Sequence, residues 1–448
     1  MFDEPNLVSA AGLVPVLALA QAAGLGRLAQ QQLTVPTDKG ANAGAKVASL
    51  VAGMVAGADS IDDLGWLRHG GMGRVFTGAY APSTLGSFLR AFRFGHVRQL
   101  DAVATRFVIE LAARTPILPG GQPGSGVMID VDDTIIEVHG YAKQGAGFGY
   151  SKVRGLNALL ATVATSSAAP VIVAQRLRKG SCGSPRGAKR LVADAAAQVR
   201  RLLPGSRPLL RADSAFYGRG PIGAALRGGC DVSVTVRQDA TVKAAIARID
   251  EQTWVPIEYP DAVFDEPSGR WISRAEVAEI GFTAFAAQKP ADRVSGRLVV
   301  RRIPELNPTS QDGLFDLWRF HAFFTTSGLD AVTADKTHRG HAIIEQVHAD
   351  LKNSALAHLP SGRFTANAAW LVLAVMAFNL TRAAATLTGP GLAKATTGTI
   401  RRRLIDVPAR IATSARRLTL HLPVAWRWQD AWNGLFQHAC GPPAATLT

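Results

Sequence analysis

Apolar and polar positions divide the chain into a helical first quarter, an α/β middle and an apolar helical stretch that leads into a basic tail. Residues 1 to about 115 carry Ala, Leu and Gly at helical spacing. This predicts helices near 7–32, 43–57, 83–94 and 97–113, punctuated by Pro36 and the Gly70-Gly71 pair. Gly120 to Gly126 reads as a linker. The pattern then turns to strands over 127–132, 156–165 and 170–177, a helix over 184–203, a strand over 209–212, a short helix over 221–227 and a strand over 232–237. From 240 to 325 short alternating runs with Pro and Gly predict a β-rich insertion, with strands at 254–259, 271–283, 297–303 and 317–325. Helices return over 338–353 and 365–387. The most apolar run, Ala366 to Leu387, is interrupted by Asn367, Asn379 and Arg382, so it reads as a buried helix and not a membrane span.

Strands with interposed helices indicate an α/β fold. Its centre is Gly126-Val-Met-Ile-Asp-Val-Asp-Asp-Thr134, where an apolar strand runs into carboxylates. Strand alternation puts Asp130 and Asp132 on one face and Asp133 on the other. Two carboxylates on one side of a buried strand repel unless a cation or a proton intervenes, which points to a divalent metal. A strand that simply ends in an acidic turn would look the same. A second acid, Asp213, ends its own apolar strand in Pro208-Leu-Leu-Arg-Ala-Asp-Ser-Ala-Phe-Tyr-Gly218. Strand ends converge on a crevice in α/β sheets, so Asp213 can meet Asp132. In Thr337 to Asn353 a helix would align His341, Glu345 and Lys352 on one face beside the apolar Ile344, Val347 and Leu351. A carboxylate for metal and an ammonium for phosphate suit phosphodiester chemistry, although an ordinary amphipathic helix carries a polar face too.

Composition narrows the partner. The 448 residues contain 49 Lys+Arg against 34 Asp+Glu, a formal charge of +15, which favours a polyanion such as nucleic acid or an anionic membrane surface. Arg90 and Arg93 stand among Phe88, Phe92 and Phe94 and could lie on DNA, or the aromatics could be core and the arginines solvated. The same choice applies to the tail, where Arg401 to Arg403, Arg410, Arg416 and Arg417 precede Trp426, Trp428 and Trp432. Cys182, Cys230 and Cys440 are widely spaced, which fits a reduced, cytoplasmic protein. The N-terminal Met-Phe-Asp-Glu is a poor start for a signal peptide.

Taken together, Asp-Val-Asp-Asp-Thr134, Val138-His-Gly140, Arg-Ala-Asp-Ser-Ala-Phe-Tyr-Gly218 and Glu345 with Lys352, followed by an apolar helix holding Asn379, resemble the signature of insertion-sequence DDE transposases. The subgroup is the one with an Asp-x-Asp-x-Thr first motif and a β-rich insertion before the catalytic Glu. The resemblance implies a ribonuclease-H-like core in which Asp132, Asp213 and Glu345 hold two Mg2+ ions, with Mn2+ able to substitute and Asp130 as the other candidate for the first position. Lys352 would contact a phosphate near the transposon end. His338 and His341 occupy the places of the family's Tyr and Arg, with Arg339 between them, and are expected at the DNA. The expected organisation is a helical DNA-binding region over 1–120, a core over 126–240, the insertion over 241–325, the rest of the core over 326–387 and a helical basic tail over 388–448. Expected partners are double-stranded transposon ends and target DNA, bound in a salt-sensitive way. A homodimer is expected by analogy, and the setting is cytoplasmic and nucleoid-associated. Two rivals remain: a haloacid-dehalogenase-like phosphatase with Asp130 as nucleophile and Asp132 as acid/base, and a DNA-binding protein that no longer cleaves.

Overall fold

A computed structural model describes residues 1–118, 126–140, 142–165, 168–265, 270–304, 318–414 and 417–441. The expected linker falls almost wholly outside them. Nine long strands form one sheet: β1 (Met128–Glu137), β2 (Arg154–Ala164), β3 (Val171–Lys179), β4 (Leu209–Ala212), β5 (Asp231–Thr235), β6 (Val255–Asp265), β7 (Arg270–Ala284), β8 (Val294–Pro304) and β9 (Trp318–Thr325). They lie side by side in the order β3-β2-β1-β4-β5-β9-β8-β7-β6, with the two-residue strand Gly147–Phe148 also paired to β2. β1 runs antiparallel to β2 and parallel to β4, and β4 is parallel to β5. From β5 outward every pairing is antiparallel.

The strand-rich stretch expected as an insertion does not fold as a body of its own. β9 pairs with β5, so the meander β6 to β9 extends the core sheet from its edge strand. Val277 and Val299 are fully buried there, packed on Phe323 and Ala334 of the helix Ala331–Arg339.

The helix Phe364–Thr386 is long and apolar enough to cross a membrane, but its apolar stretch is wholly covered by protein. It is apolar on every side because it has neighbours on every side. The N-terminal helices Ala43–Val55 and Phe94–Ala112 pack on it, as does β3. Asn379 joins it to the sheet: its Oδ1 accepts from the Ile172 N–H at 3.0 Å and its Nδ2 donates to the Ile172 carbonyl at 2.8 Å. This is where the β2–β3 register slips, between Ala161 and Thr162, and Asn379 supplies the bonds of a bulged strand. The N-terminal helices therefore belong to the same core as the sheet. Gly44 lets two of them close together, since a Cβ there would lie 2.3 Å from the Gly26 carbonyl oxygen.

The tail departs from the helical expectation. Ala409–Ser414 and Arg417–His421 pair as a hairpin, and Leu7–Val8 adds a third strand. Helix Gln429–Cys440 follows. Ala409 and Ile411 are buried while Arg410 and Ala412 are exposed, the alternation of a half-buried strand. The tryptophans are absorbed into packing. Trp426 donates to the Arg403 carbonyl at 3.1 Å, the Arg403 guanidinium lies 5.1 Å from the Trp428 ring, and Trp432 stacks on Phe436.

Candidate active site

The parallel register of β1 and β4 builds the site. Asp130 stands opposite Arg211 and Val131 opposite Ala212. Carried one residue further, this register brings Asp132, midway along β1, beside Asp213, just where β4 ends. The pair lines a cleft of about 760 Å³ together with Asp133, Lys352, Phe148, Tyr150 and residues 180–184.

The three acids of the first motif have separate fates. Asp130 is fully buried and clamped by Arg211, whose Nε and Nη2 each donate to one carboxylate oxygen at 2.7 Å. The His341 Nδ1 sits 3.0 Å from the same carboxylate. Of the two candidates for the first metal position, Asp130 is thereby the one already paired with a guanidinium inside the protein. The phosphatase alternative, with Asp130 as nucleophile, finds no support in a carboxylate that is buried and held bidentately by a guanidinium. Asp133, on the opposite face, pairs with Arg178 at 2.9 Å and accepts from Asn157. Among the described residues no cationic side chain is bound to Asp132 at hydrogen-bond distance. Burial, with a contribution from the charge of Asp213, pushes its carboxyl up to about 7, and the N–H of Asp133 opposes this by donating to it at 2.7 Å. Asp213 is also raised by desolvation, although the Ala215 N–H donates to it at 3.0 Å.

Helix Ile343–Lys352 packs against β1. Its face toward the carboxylates carries His341 just before it, then Glu345, His348 and Lys352. Lys352 lines the cleft, and desolvation lowers its ammonium pKa. Glu345 is exposed in the first turn and does not line the cleft. Among the described residues no three His, Cys, Asp or Glu side chains are close enough to hold a metal ion. The residue that does approach Asp132 is His348, which sequence reasoning missed, with its Nδ1 3.7 Å from an Asp132 oxygen and its Nε2 buried without a partner. Burial lowers its pKa to about 4, so the imidazole is neutral. The signal available was its place three residues after Glu345 on the same face.

The expected DNA contacts divide as well. His338 is turned inward: its ring nitrogens lie 2.9 Å from Ser233 Oγ and 3.0 Å from Thr235 Oγ1, and it stacks on Phe323 at 4.1 Å. His341 directs its Nδ1 to Asp130 at 3.0 Å, and its side chain is part-exposed. Arg339 donates to Asp335 at 2.8 Å and lies 4.8 Å from the Tyr259 ring. Arg90 and Arg93 are exposed, whereas Phe88 and Phe92 are core.

Asp132 and Asp213 fit a divalent cation by their chemistry: two neighbouring carboxylates, both raised by burial and Asp132 also by the charge of Asp213, with no guanidinium or ammonium of the described residues bonded to Asp132. The third donor is not gathered with them.

A family model described as the transposase DDE domain, group 1, matches residues 1–439. Among solved structures, the cryo-EM structure of the piggyBac transposase synaptic complex with hairpin DNA is similar, with a TM-score of 0.46 and 10% identity, covering 87% of this chain and 79% of that one. No curated protein matches the chain.

Proposed function

The chain belongs to the family of transposases with a group 1 DDE domain, and from that premise we propose that it cuts and rejoins DNA at the ends of its insertion sequence through Asp132, Asp213 and Glu345. The observation that carries this reading is the parallel register that sets Asp132 of β1 beside Asp213 at the end of β4, with Asp132 raised to about 7. The strand order β3-β2-β1-β4-β5, antiparallel through β1 and parallel after it, supports a ribonuclease-H-like core, with β6 to β9 as the insertion.

Divalent ions held by Asp132 and Asp213, Mg2+ or Mn2+, would supply the Lewis acidity that phosphodiester displacement needs at the attacking and leaving oxygens. The chain does the rest. With its carboxyl raised to about 7, Asp132 would lose its proton more readily with a cation bound beside it. Glu345, on the helix face between His341 and His348, is free to turn toward bound DNA. Lys352 offers an ammonium to a phosphate from the same wall as the carboxylates. Asp130, Arg211 and His341 hold that helix against β1, and the Thr337 carbonyl accepts from Arg211 Nη1 at 2.5 Å. The partners of this activity are the duplex ends of the element and target DNA, with two copies of the chain pairing two ends in a nucleoid setting.

The test is cleavage of labelled duplex carrying the ends of the flanking element, with Mg2+ or Mn2+ and with chelator. Cuts at the ends that need the metal support the proposal; duplex bound but left intact under all conditions contradicts it.

A further inference from the structure

The cleft has a second wall that the chemistry above does not use. It is the loop joining β1 to β2, where Phe148 is 65% and Tyr150 is 105% exposed. These rings line the same cleft as Asp132, Asp213 and Lys352. The loop that carries them is anchored. Gly147–Phe148 pairs with Arg154 and Gly155 of β2, and the Gly180 N–H donates to the Gly145 carbonyl at 2.9 Å. Between the two rings, Gly149 is pressed so closely on Gly180 that a Cβ would lie 2.7 Å from its carbonyl oxygen. A turn closes the loop, with the Lys152 N–H on the Gly149 carbonyl at 3.1 Å and Lys152 at a φ of 56°. The backbone thus fastens both sides of Gly149 to the protein and leaves the aromatic rings in water.

Two anchored aromatic side chains that forgo burial beside a catalytic cleft imply a ligand with a flat, apolar face. In duplex DNA the base faces are stacked away, so such a surface can meet one only where a base has left the helix. We propose that Phe148 and Tyr150 stack on an unpaired base next to the phosphate that is cut, holding the DNA end open while Asp132, Asp213 and Lys352 engage the backbone. The inference rests on the transposase reading. Stacking of this kind tolerates any base, since every base has a π face, so the loop would contribute grip and not sequence choice.

The experiment measures binding of the full chain, by fluorescence anisotropy, to two duplexes of the element's end. One is fully paired, and the other carries a single unpaired base at the cleavage point. Wild type binds the second at least about tenfold more tightly, and the Phe148→Ala/Tyr150→Ala double variant loses most of that difference, while Tyr150→Phe keeps it. Thermal melting of the double variant checks its fold, which exposed side chains do not support. A double variant that melts like wild type and keeps the full preference overturns the proposal, as does a wild type with no preference that still cleaves. A wild type that cleaves neither duplex with metal removes the transposase reading itself, and the stacking role with it.

Discussion

Asp130 and Asp132 are two residues apart on one face of one strand, yet one is a buried half of an ion pair and the other is open to a cleft. The sequence placed both on that face and left the choice between them to the family pattern. What separates them is Arg211, two residues before Asp213, which pairing brings opposite Asp130. No spacing along a single chain reveals which cation a strand register will deliver. Asp130→Asn or Arg211→Met should each lower stability by about 3–5 kcal/mol in denaturant unfolding, because either leaves an uncompensated buried charge. The pair Asp130→Leu with Arg211→Met should recover most of that loss, and single variants as stable as wild type would show that the pair is solvated. Asp132 behaves in the opposite sense. Its folded-state pKa is raised to about 7, so the stability it gives is complete below the ordinary carboxylate pKa and is lost as pH rises through 7. Asp132→Asn should therefore stabilise the metal-free protein at pH 8, on the order of 2 kcal/mol. The gain should fade toward pH 4 when thermal melts are compared across that range. A gain of the same size at every pH would mean that the carboxyl is not perturbed.

At the scale of elements, the apolar runs at 127–132, 156–165 and 170–177 and the helix over 365–387 were legible because buried strands and an all-round buried helix leave continuous apolar signals. The tail hairpin was missed because its period-2 alternation is only a few residues long on each side and is crowded by arginines that looked like a basic helix face. The inward turn of His338 was not legible either, since a histidine reads as polar until the hydroxyls of Ser233 and Thr235 arrive from β5 to hydrogen-bond its two ring nitrogens. Asn379 was visible as an interruption of the apolar run, but its partner was not. It satisfies both backbone groups of Ile172 at the slip in the β2–β3 register. Asn379→Leu should cost about 2–4 kcal/mol, since it leaves a buried N–H and a buried carbonyl unpaired. Unfolding of that variant in urea would read this as a lower midpoint with an unchanged slope, and an unchanged midpoint would show that another group takes over both bonds.

For the molecule as a whole, the sequence suggested five consecutive regions, and the described residues join them. Leu7–Val8 pairs with the tail hairpin, the N-terminal helices and the sheet share the helix Phe364–Thr386, and the meander β6 to β9 prolongs the core sheet. Regions that differ in texture along the chain can still share one interior, because texture records local periodicity and not which surfaces meet. The site inherits its shape from this arrangement. The acids lie side by side where β4 ends against the middle of β1, the helix with Glu345 is held over them by Asp130 and Arg211, and the aromatic loop closes the far wall of the cleft. All of it serves one claim, that Asp132 and Asp213 together make a cation-dependent centre for cutting DNA. The measurement that reaches this claim most directly is single-turnover cleavage of the labelled end duplex with Mg2+ by wild type, Asp132→Asn and Asp213→Asn, each checked for fold by thermal melting. The account predicts that both substitutions slow cleavage by about a thousandfold or more, the loss expected when a cation-stabilised displacement loses a ligand. A folded Asp132→Asn or Asp213→Asn protein that cuts at the wild-type rate would contradict it.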